Sequence, residues 1–74
     1  MDVVVDVRPV LDRGGEPLPR ILEAVRSLPE GSRLVVLAPF EPEPLYGVLA
    51  RQGFEHEAED RGDEGFRVVF FRPG

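Results

Sequence analysis

The sequence predicts an α/β fold, an α+β two-layer sandwich in which a mixed four-stranded sheet carries two helices on one face, in the order βαβαββ. Three observations carry this expectation. Two nearly continuous, valine-rich apolar runs lie at 2–8 and 33–38, as strands buried in a sheet require. Each is followed by a stretch with apolar residues at three- and four-residue steps, at 17–28 and 42–52, and each of these opens on a Pro-x-Pro pair. The chain closes on two short runs, at 54–60 and 66–72, separated by a turn rich in glycine and acid.

Residues 3–7 of the first strand are apolar apart from Asp6, and Pro9 is expected to end the strand. A connection, RPVLDRGG, leads through Gly14 and Gly15 into the first helix, where Leu18, Ile21, Leu22, Val25 and Leu28 form one stripe. Pro29 and Gly31 stop that helix before the second strand. The second helix places Leu45, Val48 and Leu49 on one side, with Gly53 at the position of a left-handed cap and Phe54 folding back on the last turn. In FEHEAED, Phe54, His56 and Ala58 alternate with Glu55, Glu57 and Glu59. The last strand, FRVVFF, returns beside it after a turn over 61–65. Strands joined through a helix are parallel with a right-handed crossover, so both helices fall on one face.

Seventy-four residues make a single domain, 1–74, in which every apolar stripe is needed for burial. Cysteine is absent, which removes thiol chemistry and disulfides and fits a reducing cytoplasm. The chain opens directly on a strand-like run, so a cytoplasmic location with no secretory leader and no membrane association is expected. Fourteen acids face nine bases, all arginine, for a net charge of −5, which argues against nucleic acid as a partner. Lysine, asparagine and threonine are also missing. That composition points to a GC-rich genome and to a thermophilic source.

The doubled prolines have a plain structural reading. Proline suits the first turn of a helix, whose N–H groups have no intrahelical partner and whose φ the ring already matches. Glu16 and Glu41, each directly before a Pro-x-Pro, sit at the positive end of a helix dipole, and Glu16 is expected to accept a bond from the Leu18 N–H.

A second reading comes from a resemblance. Asp6-Val7-Arg8-Pro9, followed by Glu16-Pro17-Leu18-Pro19 at the head of the first helix, resembles the TusA/SirA-like sulfur-carrier family, whose hallmark is Asp-x-Arg-Gly leading to Cys-Pro-x-Pro. The resemblance covers nearly the whole chain. It is closer to a related group of uncharacterised TusA-like domains that lack the cysteine and carry a second Pro-x-Pro-Leu, as Pro42-Glu43-Pro44-Leu45 does here. The resemblance implies the sheet order 1-2-4-3, with the fourth strand antiparallel to its neighbours. It also implies that sulfur relay is lost, since Glu16 stands where the persulfide-carrying cysteine would be and a carboxylate cannot replace a thiolate. Pro9 replaces the glycine, and the connection from Arg8 to Glu16 is several residues longer than in the carriers. What the resemblance leaves is docking to a partner protein.

The candidate residues for partner or ligand binding are therefore Arg8, Glu16, Pro17, Pro19, Glu41, Pro42 and Pro44. Both helices follow parallel strands, so both heads lie at the carboxyl edge of the sheet, where ligands of open α/β sheets bind; Arg8 is expected between or beside the two glutamates. No catalytic residue, cofactor or metal is expected. His56, alone among glutamates, reads as structural, and Glu55, Glu57 and Glu59 as a solvated edge that blocks strand pairing. Alternation leaves Val4, Val35, Leu37, Val69 and Phe71 on the sheet face away from the helices. That much apolar area predicts association there, with Leu37, Val69 and Phe71 as interface candidates, in a homodimer or with an unknown protein. The competing function is a small-ligand or metal-binding protein using the Glu16/Glu41 edge.

Overall fold

A computed structural model describes residues 1–73. Its strands are β1 (Asp2–Asp6), β2 (Arg33–Ala38), β3 (Glu55–Asp60) and β4 (Phe66–Phe71), and its helices α1 (Arg8–Asp12), α2 (Leu18–Arg26) and α3 (Glu43–Ala50). The sheet runs β1-β2-β4-β3. β1 pairs parallel with β2, whereas β4 lies antiparallel to both β2 and β3.

The predicted alternation decides the core. Val5 and Val7, Leu34, Val36 and Ala38, and Val68 and Phe70 meet Ile21 and Val25 of α2 and Leu45 and Leu49 of α3 in one buried cluster. The valine-rich strands earn their β-branched residues here, where both neighbours and helices press on the pleat. Gly53, with φ of +89°, ends α3 in the left-handed region, and the Phe54 N–H returns to the Leu49 carbonyl at 3.1 Å while its ring is buried.

α1 was not expected. Strand β1 stops at Asp6 and not at residue 8, and the proline read as a strand terminator is the second residue of a helix. Proline is compatible with either role, since at a helix head its missing N–H costs nothing. Asp6 and Arg8 settle the matter locally: Asp6 Oδ1 accepts the Arg8 backbone N–H at 3.0 Å, giving one orphan donor of the new helix a partner. The Gly14 and Gly15 N–H groups then close α1 onto the Leu11 and Val10 carbonyls.

The other face of the sheet is uncovered, and its register sets three rows across the strands. They are Asp2, Arg33, Phe71 and Glu55; Val4, Val35, Val69 and Glu57; and Asp6, Leu37, Arg67 and Glu59. Val35, at the centre, is only 1% exposed although no helix covers it. Leu37, Val69 and Phe71 are half-buried, and Val4 on the edge strand is 58% exposed. Ion pairs of Arg33 with Asp2 and Arg8 with Asp6, each closing at 2.9 Å, interrupt the apolar surface.

Candidate functional site

The two proline pairs stand at equivalent places. Pro17 and Pro42 occupy the cap positions of α2 and α3, and Pro19 and Pro44 lie within the first turn. Each pair thus begins one residue earlier than a helix-initial proline would. Neither cap is made by a side chain. Glu16 is exposed and accepts no bond from the Leu18 N–H, contrary to expectation. The prolines have already removed donors from that turn, so little remains for a carboxylate to satisfy.

What the two heads enclose is apolar. A groove of about 260 Å³ opens at the carboxyl edge of β1 and β2, walled by Pro17 and Leu18 on one side and by Phe40, Pro42 and Pro44 on the other. Leu11 of the unexpected α1 joins the wall, and Ile21 and Ala38 lie beneath. Phe40 is 55% exposed and Leu18 36% exposed. In Phe40-Glu41-Pro42-Glu43-Pro44 the apolar residues line the groove while the two glutamates alternate with them, exposed to solvent.

The structure separates the charged residues that the sequence grouped together. Arg8 is not between the glutamates. Its guanidinium forks onto Asp6, with Nε to Oδ1 and Nη2 to Oδ2 both at 2.9 Å, and Nη1 donates to the Glu64 carbonyl at 3.2 Å. Asp6 belongs to the uncovered face of the sheet, and Arg8 follows it there. This fork holds the Asp6 carboxyl below its ordinary value and raises the Arg8 guanidinium above its own. Glu41 Oε2 instead accepts the Tyr46 hydroxyl at 3.1 Å. Among the described residues, Glu16 and Glu41 enter no ion pair.

Tyr46 had no assigned role in the sequence. Its ring stacks on His56 with centroids 3.7 Å apart and 9° between planes, and both rings tilt against Phe70. Burial, then the bond to Glu41, pushes the Tyr46 hydroxyl up to about 12. His56 is thus a stacking partner that ties the edge strand β3 to α3. Glu55, Glu57 and Glu59 are exposed along that edge. No group of three or more potential metal ligands gathers among the described residues.

Phe40, Leu11 and Leu18 are groove residues that sequence reasoning missed; Leu18, read as part of the buried stripe of α2, lines the groove and is 36% exposed. A signal existed for Phe40: it is a large apolar residue beyond the end of a strand and directly before a proline-rich segment, where neither strand nor helix buries it. None of comparable strength marks Leu11, whose position depends on α1.

A small two-layer sandwich with an apolar groove between its proline-led helix heads is the class of protein that fold and site define. Over residues 4–72 the chain matches the family model described as uncharacterized conserved protein (DUF2249), and it belongs to that family. No curated protein and no solved structure matches it. Among the described residues, no helix is long and apolar enough to cross a membrane.

Proposed function

We propose that the chain is a docking module that engages a partner protein through the groove at the heads of α2 and α3, without covalent chemistry of its own. One observation carries the reading: the groove is lined almost wholly by apolar atoms yet remains open, with Phe40 more than half exposed. Exposed apolar surface concentrated at one place is the usual mark of an interaction site. The proline wall adds to this, because a surface with little conformational freedom loses little entropy on binding. The proposal includes a relationship to TusA/SirA-like sulfur carriers, supported by the sheet order, the Pro-x-Pro at the head of α2 and Asp6-x-Arg8. The relay chemistry is absent with the cysteine. Pro17, Pro42 and Pro44 then keep a docking role, with Glu16 and Glu41 on the groove's outer margin, whereas Pro19 is exposed and does not line the groove.

The competing ligand or metal reading asks Glu16 and Glu41 to converge, and Glu41 is already held by Tyr46. A homodimer through Leu37, Val69 and Phe71 would use surface that is half-buried within the chain itself. A photo-crosslinking amino acid introduced at position 40, and separately at position 4 on the uncovered sheet face, distinguishes these in cells. Docking at the groove predicts a discrete crosslinked polypeptide from position 40 and none from position 4. Crosslinks to a second copy from position 4 alone would replace this reading with the dimer, and no crosslink from position 40 beside a melting temperature raised by small apolar compounds would replace it with ligand binding.

A further inference from the structure

On the uncovered face, the row Asp6, Leu37, Arg67 and Glu59 crosses all four strands. Charges of opposite sign placed directly across two strands ordinarily settle on each other. Arg67 and Glu59 do not. Glu59 gives Oε1 to Arg61 Nε at 2.8 Å, and Asp6, at the far end of the row, gives both oxygens to Arg8. Arg67 is half-buried, and among the described residues no ion pair reaches its guanidinium.

Arg67, Arg8 and Arg61 border an open depression of about 300 Å³ floored by Val35 and Leu37. Among the described residues Arg67 makes no ion pair or side-chain hydrogen bond, its nitrogens stay in contact with water, and its planar fork fits a carboxylate or another oxyanion with two parallel bonds. Charge selects among oxyanions. The three arginines are offset by Asp6 and Glu59, which pair with Arg8 and Arg61, and by Glu64 in the lining, and the whole chain carries −5. A dianion would meet that field with twice the repulsion of a monoanion. The apolar lining selects further, because a small inorganic ion would leave Val4 and Leu37 unused.

We infer that this depression binds a small monocarboxylate with an apolar body, its carboxylate on the Arg67 fork and its body over Val4 and Leu37. The site lies on the opposite side of the sheet from the groove and stands independently of the docking reading. Arg61, held at Nε only, has both terminal nitrogens left to share the carboxylate. Glu64 borders the same depression and opposes the ligand's charge.

Titration of the full chain with benzoate, followed by heteronuclear NMR, tests this, with benzamide and inorganic phosphate as controls. Benzoate is expected to give saturable shifts centred on residues 4, 37 and 67, and both controls to bind about tenfold more weakly or not at all. Arg67→Gln is expected to weaken benzoate about tenfold, whereas Glu64→Gln strengthens it severalfold by removing a like charge. Equal binding of benzamide, shifts without saturation, or unchanged benzoate affinity in Arg67→Gln overturns the inference. If Arg67→Gln fails to fold, Glu64→Gln decides, since Glu64 is exposed; an affinity unchanged or lowered there overturns it equally.

Discussion

Gly65 shows how much one residue can determine. It leaves the 3-10 turn over Gly62–Glu64 with φ of +90° and ψ of −141°, a region that side chains bearing a Cβ scarcely enter. A Cβ there would also collide with the Ala38 carbonyl oxygen at the end of β2. Both penalties fall where β4 begins, beside the antiparallel pair Ala38 and Phe66. Gly65→Ala is therefore expected to lose at least about 2 kcal/mol, lowering the melting temperature by roughly 10 °C or more. Gly47 provides the contrast, lying within α3 with open space where a Cβ would go. Gly47→Ala should leave stability equal or raised, by up to about 1 kcal/mol. Equal melting curves for Gly65→Ala and the parent would show that the turn relaxes and that its backbone is not fixed by packing.

At the scale of elements, β3 is an edge strand exposed along its whole length and tied to α3 by the Tyr46–His56 stack. Tyr46 offers a clean test because the chain has one tyrosine, no cysteine and no lysine. Its folded value of about 12 lies above the ordinary 10. A group with a raised folded pKa contributes stability that is complete below its unfolded value and disappears as pH rises through the folded one. Stability should thus fall between pH 10 and about 12, in step with phenolate absorbance, and Tyr46→Phe should abolish that fall. A phenolate transition at the ordinary value would contradict the packing of Tyr46 against His56 and Phe70. The elements themselves were legible where one signal dominated, as in the valine runs of β1 and β2 and the stripe of α2. They failed at Pro9, where one residue type serves strand end and helix start equally, and the Asp6 carboxylate that decides between them is visible only in three dimensions. The same ambiguity shifted Pro17 and Pro42 by one position into the caps, which changes what the glutamates before them can do.

At the scale of the molecule, the sheet divides two kinds of chemistry. Pro17, Pro42 and Pro44 meet the exposed Leu18 and Phe40 at the helix heads, and Arg8, Arg33, Arg61 and Arg67 border the far face. The sequence located the first at the carboxyl edge of β1 and β2, because parallel strands put both helix starts there. It could not show that the edge is apolar and not a carboxylate cluster. Arg8 follows Asp6 to the other face, and Phe40 and Leu11 enter the groove only once the chain turns after β2 and coils into α1. The account rests on the groove being a binding surface and not an imperfection of the core. The most direct measurement is the affinity of the polypeptide captured at position 40 for the wild-type chain and for Leu18→Ser with Phe40→Ser, beside the melting temperature of each. The account predicts a loss of affinity of about tenfold or more with the melting temperature nearly unchanged, since both side chains are already exposed. Unchanged affinity would contradict it, as would a large fall in melting temperature, which would mean that Leu18 and Phe40 hold the helices to the sheet.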